Sequence, residues 1–145
     1  MQINYIMRKA VFFLSTFSLI FLLSNCKKSS TPTPNYPIVG LWIGTQVTND
    51  GSSTVPLYYS FDLHSDSTIL VQGVGADGNT YYALGKWSLS GTAFTAAITF
   101  YNLSQAGAKQ NLSAVYSSEK GTLSSGVVMG VGVNYTATFS MERTN

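Results

Sequence analysis

The sequence predicts an all-β fold: an eight-stranded antiparallel up-and-down β-barrel behind an N-terminal leader and a short linker. Three observations carry this. Only 10% of the 145 residues are charged, against about 25% in an average soluble protein, while Gly (13), Tyr (9) and Phe (8) are abundant beside many Ser and Thr. These residues fit strands and turns better than helices. From Ile38 onward the chain consists of short apolar or alternating runs cut by turn residues, with no helical period. Every connection between runs is too short for a crossover helix, so neighbouring strands are antiparallel and the chain meanders.

The elements follow in order. Residues 1–25 read as a signal peptide. Arg8 and Lys9 form its positive end, and Met7 is a natural start for that end. The 14 residues Ala10–Leu23 are apolar except for Ser15, Thr16 and Ser18. That is the length of a signal-peptide core and is short of the roughly 20 residues a membrane span needs. Residues 26–37 are Cys26 and a linker, where Pro32, Pro34 and Pro37 block helix and central strand and favour extended chain.

Residues 38–145 are the folded domain. Its runs are Ile38–Thr48, Leu57–Leu63, Thr68–Val74, Tyr81–Leu89, Ala93–Tyr101, Gln110–Tyr116, Thr122–Val131 and Asn134–Arg143. Turn-forming stretches close them: 49–53, 64–67, 75–79, 90–91, 102–108, 117–121 and around Gly132. In the last run Tyr135, Ala137, Phe139, Met141 and Arg143 share one face, opposite Asn134, Thr136, Thr138, Ser140 and Glu142. In the fifth, Phe94, Ala96, Ile98 and Phe100 lie opposite Thr95, Ala97 and Thr99. One apolar face and one Ser/Thr face suit a barrel wall. Pairing the first strand with the last removes both sheet edges, and eight strands enclose room for side chains or one small ligand. The competing sandwich needs a long cross-connection, for which only 102–108 is available.

Two motifs carry resemblances. Leu23-Ser24-Asn25-Cys26 closes the apolar run. It resembles the lipobox of bacterial lipoproteins, with Asn25 where that family usually has Gly, Ala or Ser. The resemblance implies cleavage before Cys26, lipidation of Cys26 and anchoring in the cell envelope. Lys27, where an Asp resembles an inner-membrane retention signal, points to the outer membrane; the side of the membrane stays open. Cys26 is the single cysteine, so no disulfide framework competes for it.

Val39-Gly40-Leu41-Trp42 resembles the Gly-x-Trp signature of the lipocalin and wider calycin group. In that group the Trp closes one barrel end and a basic residue of the last strand packs across it. Here Gly40, Trp42 and Arg143 are the matching positions, and the implied role is a structural plug. The second lipocalin motif and the C-terminal helix are missing. The domain is therefore similar to small lipocalin-like domains of envelope lipoproteins. Avidin-like barrels share Gly-x-Trp, but Ile43-Gly44-Thr45 does not match their biotin-contacting stretch.

Charge and chemistry exclude other classes. From Tyr36 onward four basic residues face six acidic ones, so the domain offers nucleic acid no basic footprint. His64 is the single histidine and Cys26 belongs to the lipid, which leaves no nucleophile–base pair; the chain reads as no enzyme and implies no cofactor. Asp62, His64 and Asp66 sit at strand spacing but lack a fourth ligand, so a polar hairpin end is preferred to a metal site. Asp77-Gly78-Asn79 reads as a turn.

Two functional readings remain. One is an apolar calyx lined by Tyr59, Phe61, Trp87, Phe94, Phe100, Tyr135 and Phe139, holding a small hydrophobic molecule. The other is an interaction, inhibitor or accessory module whose barrel is filled by its own side chains and whose contacts lie on loops such as 49–54 and 102–108. Gly73, Ala83, Gly85, Ala96, Gly126 and Gly130 decide between them, by leaving space or by permitting close packing.

Overall fold

The computed structural model describes residues 32–49, 55–102 and 106–144. The leader, Cys26, the start of the linker, and loop residues 50–54 and 103–105 lie outside the described residues. Eight strands form: β1 (Gly40–Thr48), β2 (Leu57–Leu63), β3 (Thr68–Val74), β4 (Thr80–Ser90), β5 (Ala93–Phe100), β6 (Lys109–Ser117), β7 (Thr122–Gly130) and β8 (Thr136–Arg143). They pair in sequence order as a closed antiparallel barrel, with β1 also hydrogen-bonded to β8.

Local chemistry sets the turns. Gly91, at φ 59°, takes the first position of the two-residue turn joining β4 to β5, a conformation open to glycine at no steric cost. Between β2 and β3, the Asp66 carboxylate accepts the Thr68 hydroxyl (2.6 Å) and backbone N–H (2.9 Å). Those two bonds hold its carboxyl below the usual carboxylate range. Asp77 accepts the Asn79 N–H at 3.0 Å in the β3–β4 turn.

Alternation then fills the inside. Phe94, Ala96, Ile98 and Phe100 of β5, and Ala137, Phe139 and Met141 of β8, are buried, while the intervening residues are exposed. The outward residues of β5 and β8 are mainly Thr and Ser, while Ile43, Leu84, Val115, Val127 and Met129 are exposed on other strands. Phe61 sits at the centre, with ring centroids 5.0 Å from Tyr59, 5.3 Å from Phe139 and 6.1 Å from Phe94. Each such ring buried contributes about 1.5–3 kcal/mol.

Glycines make this packing fit. A Cβ on Gly73 would lie 2.3 Å from the Tyr81 ring, one on Gly126 would lie 2.5 Å from the Phe139 ring, and one on Gly85 would lie 2.0 Å from the Ala97 carbonyl. At these three positions, small residues permit close packing instead of leaving space. Register shifts lie between Ser113 and Val115 on β6 and between Leu123 and Gly126 on β7. Ser125, at φ 52°, is the bulged residue of β7.

The compact unit begins at Thr33. Tyr36 donates its N–H to the Ser118 carbonyl (2.8 Å) and accepts the Tyr116 hydroxyl, and its ring covers Gly121. The last residues of the expected linker are thus seated on the barrel.

Candidate functional site

The two barrel ends differ. At the end where β1 begins and β8 finishes, Trp42 is fully buried and donates its indole N–H to the Ile38 carbonyl at 2.7 Å. That bond turns the chain just before Gly40, so β1 starts there and not at Ile38. Tyr116 packs edge-on to the indole, with ring centroids 6.0 Å apart. Arg143 is the ladder partner of Trp42 across the β1–β8 seam. Its guanidinium donates to the carbonyls of Val39 and Thr144, each at 3.1 Å. Gly40 (φ 129°) lets the guanidinium come this close, because a Cβ there would stand 2.9 Å from Nη2. Burial pushes the Tyr116 hydroxyl pKa up, and the Arg143 charge opposes that push. The structure therefore brings Gly40, Trp42 and Arg143 together, with the guanidinium tying down the strand ends.

At the opposite end is a cavity of about 360 Å³. Its wall includes Leu57, Val74, Phe100, Gly130 and Val133, and its polar side chains are Gln46, Thr48, Tyr81, Lys109, Gln110 and Tyr135. Gln46 is 4% exposed and donates its amide to the Tyr135 hydroxyl at 2.7 Å. The Tyr81 hydroxyl donates to the Gln46 amide oxygen at 3.5 Å. Tyr59 is fully buried, and its hydroxyl has no hydrogen-bond partner among the described residues. Burial drives the Tyr59 hydroxyl pKa far up, with Tyr81 and Tyr135 adding to the push. Burial also raises that of Tyr81 strongly.

Of the seven residues expected around a calyx, Phe100 and Tyr135 line this cavity. Tyr59, Phe61, Phe94 and Phe139 form the packed aromatic centre. Trp87 is half-buried at the other end, donates its indole N–H to the His64 carbonyl (3.1 Å) and stacks at 6.5 Å on Phe94. The barrel is thus filled in its lower part and hollow at one mouth. Sequence reasoning missed Gln46, although strand parity marks it: it lies two and four residues after Gly44 and Trp42, a polar group on the inward face.

Two larger grooves, of about 580 and 480 Å³, lie against the outer wall, along outward residues such as Thr45, Thr122 and Ser140, and Lys86, Thr95 and Asn111. Asp62 and His64 form an exposed ion pair at 3.1 Å, whereas the Asp66 carboxylate turns to Thr68. Among the described residues no group of three His, Cys, Asp or Glu side chains is placed to share a metal ion. No protein-family model matches this chain, and no curated protein matches it.

Proposed function

We propose that this is a lipid-anchored protein of the bacterial cell envelope, on the outer membrane, whose lipocalin-like barrel binds a small, mainly apolar molecule without transforming it. The observation that carries the binding half is the 360 Å³ cavity at one mouth of the barrel. Ligand sites of about 300–1,000 Å³ with apolar walls and a few polar groups are the usual size and make-up. The aromatic centre below gives such a pocket a rigid base. The packed half of the barrel supports the alternative, an interaction or accessory module without a ligand. Native mass spectrometry of the full chain separates the two.

The anchoring half rests on the order of positive end, apolar run and Leu23–Cys26 box. Several acyl chains on one residue give lasting attachment, since each buried CH₂ contributes about 0.8 kcal/mol. Cys26→Ser is expected to abolish palmitate incorporation and to move the protein from the membrane to the soluble fraction. Palmitate incorporation equal to that of the parent chain would contradict the anchor.

A further inference from the structure

The polar groups at the inner end of the cavity are unevenly matched. Gln46 gives one amide hydrogen to Tyr135 and keeps a second. Its amide oxygen is reached by the Tyr81 hydroxyl only at 3.5 Å, the limit of a hydrogen bond. Behind them the Tyr59 hydroxyl is fully buried with no partner among the described residues. The Tyr81 hydroxyl and the second Gln46 amide hydrogen are thus weakly matched donors in a place where an unmatched donor is costly. No carboxylate lines the cavity among the described residues, and Lys109 is the one cation of the described lining. Lys109 is exposed at the start of β6, away from the inner end.

Resting on the binding function proposed above, we infer that the cavity takes a ligand whose inner end is a neutral oxygen acceptor, a carbonyl or ester oxygen seated against the Tyr81 hydroxyl and the Gln46 amide. Such an oxygen gives the Tyr81 hydroxyl and the second Gln46 amide hydrogen an acceptor at ordinary hydrogen-bond distance. A carboxylate at the same depth would leave water with no fixed cation to meet it, which is unfavourable. A pure hydrocarbon would leave the donors unmatched. Burial keeps the phenols neutral, so they remain donors throughout the physiological pH range. The apolar wall, with Phe100 and Leu57, suits a hydrophobic or aromatic body behind that oxygen.

Three probes of similar shape test this on the full chain by calorimetric titration: a naphthyl methyl ketone, isopropenylnaphthalene and naphthoate. The ketone is expected to bind about tenfold more tightly than the hydrocarbon, the difference one good hydrogen bond makes, and more tightly than naphthoate. Tyr81→Phe keeps the ring that fills the space over Gly73 and is expected to remove that tenfold preference. Tyr59→Phe is expected to raise the melting temperature of the ligand-free chain, because it deletes an unmatched buried donor. Equal binding of ketone and hydrocarbon overturns the acceptor assignment and leaves the binding function standing. Naphthoate binding as tight as the ketone, or a lower melting temperature for Tyr59→Phe, also overturns it. Binding of none of the three overturns both.

Discussion

Trp42→Ala is expected to cost about 3–5 kcal/mol of stability, the range for truncating a fully buried Trp. The indole is fully buried, holds the Ile38 carbonyl at 2.7 Å and packs edge-on against Tyr116. Removing it leaves a cavity at the closed end and frees the chain that leads into β1. It also takes away the side chain beside Arg143 at the seam where β1 meets β8. Arg143→Lys should cost less: an ammonium keeps the charge but loses the fork that reaches both Val39 and Thr144. Lys120→Ala, in the exposed β6–β7 turn, should stay within about 0.5 kcal/mol. Urea unfolding of the three variants checks the order. A Trp42→Ala cost no larger than that of Arg143→Lys would contradict the plug.

Gly44→Ala is expected to destabilise by at least about 3 kcal/mol, the upper end of ordinary overpacking. A single methyl group produces this because of where it lands. A Cβ on Gly44 would lie 1.9 Å from the Ser140 carbonyl oxygen and 2.8 Å from the Met141 Cα, both backbone atoms. Backbone cannot swing aside as a flexible side chain does. The β1–β8 ladder itself must open, and that ladder closes the barrel between residues far apart in sequence. Thr45→Ala, one position along and facing outward, should stay within about 0.5 kcal/mol. Comparing their denaturation midpoints separates a clash at the seam from a general sensitivity of β1.

Much of this fold is legible from residue parity. The β8 face of Ala137, Phe139 and Met141 and the β5 face from Phe94 to Phe100 are buried as alternation requires. Short connections leave an antiparallel meander, and edge closure brings Trp42 beside Arg143. Parity gives the face of a residue but not its height along the barrel axis. Height depends on strand stagger, and here the irregularities at Ser113–Val115 and Leu123–Gly126 help set it without a local sequence mark. This is why Phe61 and Phe94 fall in the packed centre, Trp87 near the closed end and Tyr135 at the cavity. The space at Gly73 and Gly126 is taken by rings from neighbouring strands, Tyr81 and Phe139, which the sequence of either strand alone does not reveal. Gln46 needed no more than parity, since Trp42, Gly44 and Gln46 all point inward from β1.

The central claim is that one mouth of this barrel holds a small molecule above a packed aromatic base. Native mass spectrometry of the full chain, purified without organic solvent, tests it most directly. The account predicts a mass excess beyond the covalent chain, released by gentle activation, or the same one-to-one excess after incubation with the naphthyl methyl ketone. The bare mass of the chain in both preparations would contradict it.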